Sequence, residues 1–139
     1  SRPTGGFFPP HSSHQSGRDA DVGYYLGGNL QNKTLHRVAA SHLDYAKNWT
    51  LLRCYLKTEK VVRIYMDTGI QKGYVRYLRR KKILSEDVID SLFGAVAPNP
   101  RRALIRHSPG HDTHIHIRFA CSATDTKCEE EKADSIFVL

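Results

Sequence analysis

The sequence predicts an α+β domain: a small, mainly antiparallel sheet flanked by helices. Three observations carry that expectation. Residues 113–120 alternate polar and apolar side chains as a half-buried strand does. Residues 41–57 repeat apolar residues at helical intervals. Strand-like and helix-like stretches follow one another without a composition break, so the 139 residues read as a single domain, 1–139.

Residues 1–18 are rich in Gly, Pro, Ser and His and read as a loop. A short strand is expected over 19–26, with Val22, Tyr24 and Tyr25, ended by Gly27-Gly28-Asn29. In the first helix, about 41–57, Leu43, Ala46, Trp49, Leu52 and Leu56 form one apolar stripe, and Ser41 is a plausible N-cap. Val61-Val62-Arg63-Ile64-Tyr65-Met66 reads as a buried strand, rich in β-branched residues. Asp67 or Thr68 can cap a helix from about 69 to 81, which runs into Arg79-Arg80-Lys81-Lys82. Ser85, Glu86 and Asp87 open another helix to about Phe93, and Pro98 and Pro100 mark a loop after it. Residues 103–106 suit a strand. The tail from Glu129 is charged, then apolar.

Composition bounds the function classes. With 40% hydrophobic and 25% charged residues the chain is an ordinary globular protein. No apolar run approaches the roughly 20 residues of a membrane span. Ser1-Arg2-Pro3-Thr4-Gly5-Gly6 reads as loop rather than as a secretion leader, which does not argue for the cytoplasm. The formal charge of +7 favours an anionic partner: nucleic acid, anionic lipid or a cell-wall polymer. The basic run 79–82 reads as a solvated helix C-terminus, where cations oppose the helix dipole, so no nucleic-acid partner is expected.

Of three cysteines, Cys121 and Cys128 have the spacing of a small disulfide-closed loop, which points to an oxidising compartment. Two unpaired thiols in a polar tail are the alternative. Cys54 falls in the helical pattern and is expected as a buried free thiol. The finger spacing of thiolate zinc sites is absent.

Five of the eight histidines fall in two short segments: His11-Ser12-Ser13-His14-Gln15-Ser16-Gly17-Arg18-Asp19-Ala20-Asp21, and Gly110-His111-Asp112-Thr113-His114-Ile115-His116. On a strand, His114 and His116 share a face, about 6–7 Å apart at their Cα atoms. They can address one small volume, joined by His14 from a loop and Asp21 from a strand. That supplies enough imidazole and carboxylate for a metal site with an open position for water. Spacing alone leaves such a site and a set of surface histidines both open. Tyr24, Tyr25, Phe7 and Phe8 either line a groove beside the motif or cover the core. Trp49, Tyr45 and Tyr55 fit packing positions on a helix. Arg118 continues the histidine face, as a ligand for a substrate carboxylate or as an edge-exposed charge. Asp19 and Asp112 can orient an imidazole; taken singly, each reads more readily as a solvated loop carboxylate.

The stretch Pro10–Asp21, the stretch Gly110-His111-Asp112-Thr113-His114-Ile115-His116-Ile117-Arg118 and the pair Cys121…Cys128 together resemble the penicillin-insensitive murein endopeptidases. These belong to the wider group of lysostaphin, D-Ala-D-Ala carboxypeptidase and hedgehog-type zinc folds. The middle strand, 61–66, resembles the family's as well. The resemblance implies a zinc metallopeptidase with His14, Asp21 and His116 as Zn2+ ligands. His114 and His111 would be catalytic, and His11 would support the site or bind a second metal. Candidates for further ligands are His36, His42 and Asp44, on which no second metal is assigned. The implied activity is hydrolysis of D-alanyl–diamino acid cross-links in peptidoglycan, in the periplasm or outside the cell. A D,D- or L,D-carboxypeptidase acting on stem peptides and a non-catalytic, zinc-stabilised wall-binding module are the rival readings.

Overall fold

A computed structural model describes residues 17–28, 30, 35–125 and 128. Four strands form one sheet: β1 (Asp19–Gly23), β2 (Val61–Tyr65), β3 (Ile105–Arg106) and β4 (His114–Phe119), in the order β1-β4-β2-β3. β4 pairs antiparallel with both β1 and β2, whereas β2 and β3 run parallel. The sheet is therefore mixed, with the antiparallel pairs carrying the histidine strand. Among the described residues three α-helices accompany it: α1 (Tyr45–Leu56), α2 (Thr68–Lys81) and α3 (Glu86–Leu92). None of the helices is long and apolar enough to cross a membrane among the described residues.

β4 obeys the alternation its sequence shows. Ile115 and Ile117 are fully buried and join one continuous core with Ile64, Leu52, Ile70, Leu78, Ile89 and Phe93. Burial of each such side chain stabilises the fold by about 1.5–3 kcal/mol. Phe119 reaches this core only partly, packing against Tyr55 at 6.0 Å between ring centroids. β1 is shorter than expected. It ends at Gly23, opposite His114, because β4 begins there and offers no further ladder partner.

α1 starts four residues later than the Ser41 cap would place it. Residues Ala40–His42 make a separate 3-10 turn, and Asp44 caps α1 by accepting from the Lys47 N–H at 3.0 Å. Trp49, Leu52 and Leu56 face inward as the periodicity requires, while Ala46 is exposed. Asn48, buried on the inner side, holds the chain after β1: its amide donates to the Tyr25 carbonyl (2.6 Å) and accepts from the Tyr25 N–H (2.9 Å). Cys54 is exposed, which corrects the expected buried thiol. Two positions past Leu52 on a helix of 3.6 residues per turn, it points away from the core.

Asp67 caps α2 through its Oδ1, which accepts from Gly69 and Ile70 N–H groups at 2.7 and 3.3 Å. Lys82 ends the helix in the left-handed region. Arg79 pairs with Glu86 at 2.6 Å, linking α2 to α3. α1 and α2 meet where Gly73 lacks a side chain; a Cβ there would fall 1.8 Å from the Tyr45 hydroxyl oxygen. Tyr45 fills that gap, donating to the Ala40 carbonyl at 2.7 Å and meeting Tyr74 edge-on. The packing expected of Trp49, Tyr45 and Tyr55 is thus what they do.

Candidate metal centre

The β1–β4 register builds the site. Directly opposed residues of antiparallel strands project from the same face. Asp21 stands opposite His116, Gly23 opposite His114, and Asp19 opposite Arg118. On the other flank of β4, Tyr65 of β2 is also opposite His116. One face of β4 therefore carries both histidines, with two aspartates on one side and a tyrosine on the other.

Asp21 Oδ1 lies 3.2 Å from His116 Nδ1 and 3.3 Å from His114 Nε2. His111 enters from the loop before β4, its ring centroid 4.9 Å from that of His114 and 5.6 Å from that of His116. Each of the three rings places one nitrogen within 4.8 Å of the others. Three contacts fix the His111 loop. The His111 carbonyl accepts from Tyr24 Oη (3.0 Å) and from the Asp67 N–H (3.1 Å), and the Asp112 carbonyl accepts from the Val38 N–H (2.9 Å). Tyr24 is thus a buried support beneath the loop rather than a groove wall, and Tyr25 is exposed.

Hydrogen bonds on the outer side of each ring settle where the lone pairs point. His111 Nδ1 faces two carbonyls, those of Ser108 and Pro109, both at 3.1 Å, so it carries the proton. The Thr113 hydroxyl donates to the Gly110 carbonyl at 3.2 Å and accepts from His114 Nδ1. His116 Nε2 donates to Asp19 Oδ1 at 2.8 Å. Neutral rings so oriented present His114 Nε2 and His116 Nδ1 as lone pairs to the Asp21 carboxylate. Such an arrangement calls for protons or a cation between them. The 3.2 and 3.3 Å separations match the roughly 3.3 Å edge between donors about 2.0–2.1 Å from a tetrahedral ion. The residues present fit a metal.

The electrostatics agree. Burial disfavours the His116 cation, but hydrogen bonds to Asp19 and Asp21 outweigh it and lift its pKa to about 9. Burial also opposes ionisation of Asp19, yet bonds from His116 and Arg118 hold its pKa below the usual carboxylate value. Burial, then the neighbouring His114, pushes the His111 pKa down.

Several expectations change here. Asp19 is not a solvated loop carboxylate: its side chain is buried, accepting from His116 and from Arg118 Nε at 2.9 Å. Arg118 is accordingly not an edge-exposed charge: its side chain is largely buried and its Nε donates to Asp19. Asp112 pairs with Arg37 at 2.8 Å, and with no imidazole among the described residues. Asp44 caps α1, and His36 and His42 are exposed. His14, His11, Phe7 and Phe8 lie outside the described residues. Thr113 and Tyr65 were not singled out by sequence. The only available signal was position: Thr113 precedes the histidine strand, and Tyr65 ends the neighbouring one. Tyr65 meets the His116 ring edge-on at 5.5 Å. Cys121 and Cys128 form the expected disulfide, with Cα atoms 5.8 Å apart.

The β1–β4 pair and the loop before β4 thus gather three histidines and an aspartate into a group that could hold a metal ion. The family model described as penicillin-insensitive murein endopeptidase matches residues 1–136, and the chain belongs to that family. Its substrate class is the peptide portion of murein, the peptidoglycan of the cell wall. No curated protein matches the chain in sequence.

Proposed function

We propose that this protein is a zinc-dependent endopeptidase that hydrolyses D-alanyl–diamino acid cross-links of peptidoglycan, in the periplasm or outside the cell. The observation that carries the reading is the meeting of Asp21 Oδ1 with His116 Nδ1 and His114 Nε2, each ring turned by a bond on its far nitrogen. Asp21, His116 and His14 are assigned as zinc ligands, with His11 beside them. Zinc, when bound, lowers the pKa of its water toward about 7 and polarises a carbonyl.

The chain's own groups do the rest. Asp19 keeps His116 in the tautomer that offers Nδ1. His114 offers its Nε2 lone pair to the attacking water as an acceptor and, once protonated there, donates to the developing oxyanion, with Thr113 holding the ring. His111, kept neutral by burial, takes a proton at its inner nitrogen and passes it to the leaving amine. The Cys121–Cys128 disulfide and the +7 charge suit an oxidising compartment and an anionic wall.

A second reading rests on one distance. His114 Nε2 is as close to Asp21 as His116 Nδ1 is, so His114 also fits as a ligand. Metal content separates the two. In His114→Ala, retained zinc with lost cleavage of muropeptides supports the catalytic role, and lost zinc makes His114 a ligand. Retained zinc with unchanged cleavage removes both roles.

A further inference from the structure

α2 carries the cations Lys72, Arg76, Arg79, Arg80 and Lys81 and no carboxylate. Ile70, Tyr74, Val75 and Leu78 are buried and mark the face it turns to the core. With 3.6 residues per turn, Lys72, Arg76 and Arg80 fall on the opposite side, and all three are exposed. Steps of four residues set them in one row, about 6 Å apart along the axis and about 12 Å from first to last. Among the described residues none of these three side chains makes an ion pair or a hydrogen bond.

The carboxylates on the elements around α2 are placed elsewhere. Asp67 accepts from the first N–H groups of the helix and lies 3.9 Å from His107. Asp44 pairs with Lys47 at 3.3 Å. Glu86 holds Arg79 through both carboxylate oxygens, and Asp90 acts on Arg79 as well. Asp87 is exposed and beyond ion-pair distance of the row. The acids of α3 thus meet α2 at Arg79, beside the row and not on it. In physiological salt, exposed charges act on one another over about 8–10 Å. Neighbours in the row reinforce each other within that range, whereas cations on other faces of the protein are screened. An anion approaching α2 therefore meets the field of the row more than the net charge of +7.

The row starts beside the histidine cluster. The Asp67 N–H, at the head of α2, donates to the His111 carbonyl at 3.1 Å. Lys72 lies about 7.5 Å further along the axis and Arg80 about 20 Å. A polymer held at the histidines can continue along α2.

We propose that the row Lys72, Arg76 and Arg80 is a docking surface for the insoluble peptidoglycan polymer, taking free carboxylates of peptides other than the one being cleaved. The partner rests on the endopeptidase reading; the row rests on the geometry of α2. Guanidinium forks match carboxylates, and several weak contacts to one repeating polymer add up to firm retention.

The test is cosedimentation of chelator-treated, metal-free protein with purified peptidoglycan, which then stays uncut. Lys72→Gln/Arg76→Gln/Arg80→Gln removes the row. Arg53→Gln/Lys57→Gln/Lys60→Gln removes the same charge from α1 and the turn after it. Arg76→Lys/Arg80→Lys keeps the charge of the row, and Arg76→Glu reverses its centre. Circular dichroism checks that each is folded. In about 0.1 M salt, binding should be roughly tenfold weaker without the row and weaker also in Arg76→Glu, and within about twofold of wild type in the other two. The differences should vanish once the carboxylates of the polymer are amidated. Equal binding by wild type and the row variant overturns the proposal. Equal weakening by the α1 variant does so too, because net charge would then be the cause, as does a difference that survives amidation. Anionic phospholipid vesicles are a further arm. Vesicle binding lost with the row while peptidoglycan binding is kept would assign the row to a membrane surface instead. Cleavage of soluble cross-linked dimers by the zinc-loaded wild type is read separately. Its absence would sink the endopeptidase reading and leave the sedimentation result to judge the row.

Discussion

Asp19 accepts a hydrogen bond from His116 Nε2 at 2.8 Å, across strands whose residues stand 97 positions apart in the chain. The same oxygen accepts from Arg118 Nε at 2.9 Å. Asp19 thereby sets the tautomer of His116, and Arg118 keeps Asp19 ionised. Replacing Asp19 by Asn removes the charge while keeping the shape. Zinc affinity should fall about 10–100-fold, measured by competition with a chromophoric chelator, and circular dichroism should show a folded protein. Unchanged affinity would mean that His116 is oriented by something other than Asp19.

His114→Ala should lower muropeptide cleavage by about 10²–10⁴-fold, the usual weight of a positioned acid or base. Zinc measured by atomic absorption should stay near one per chain. Thr113→Val removes the acceptor that steers the His114 ring, so it should lower kcat and leave zinc content alone. A Thr113→Val protein as active as wild type would mean that the ring needs no such steering.

The metal-free protein should lose stability as the solution becomes alkaline. The folded pKa of His116, about 9, lies above the ordinary histidine value of 6.5. A group raised in this way stabilises the fold fully below about pH 6.5, and its contribution is lost as pH rises through about 9. Thermal melts of chelator-treated protein between pH 6 and 10 check the sign. The fall in Tm over that range should shrink in His116→Gln. Zinc must displace the His116 proton, so binding at pH 7 should release it, seen as a buffer-dependent calorimetric enthalpy.

Gly73→Ala should destabilise the protein by about 1–3 kcal/mol, because the new methyl meets the Tyr45 ring. Tyr45→Ala in the same chain should relieve part of that cost, giving a double variant less unstable than the sum of the two changes. Additive losses in urea melts would contradict a direct clash.

Much of this architecture was legible in the residues themselves. Alternation along 113–120 separated Ile115 and Ile117 from His114 and His116, and the structure keeps that division. Asp67 and Ser85 mark helix starts that the structure places there. The start of α1 was less legible, because Ser41 and Asp44 are both good caps and the bridge to Leu26 holds Leu43 extended, so the helix begins only after it. The roles of Asp19 and Arg118 depend on register between strands almost a hundred residues apart, which no local pattern encodes. Thr113 and Tyr65 escaped for the same reason: each acts through a neighbour that only folding supplies. Cys54 misled because its apolar character fits a core, while its angular position on α1 does not.

The central claim, a zinc-dependent cleavage of murein cross-links by this histidine–aspartate cluster, is tested most directly by mass spectrometry of purified cross-linked muropeptides. They are digested with zinc-loaded protein, with chelator-treated protein, and with chelator-treated protein resupplied with zinc. The account predicts monomers released by hydrolysis at the D-alanyl–diamino acid bond in the first and third samples, and intact dimers in the second. Intact dimers in all three samples, or equal cleavage with and without the chelator, would contradict it.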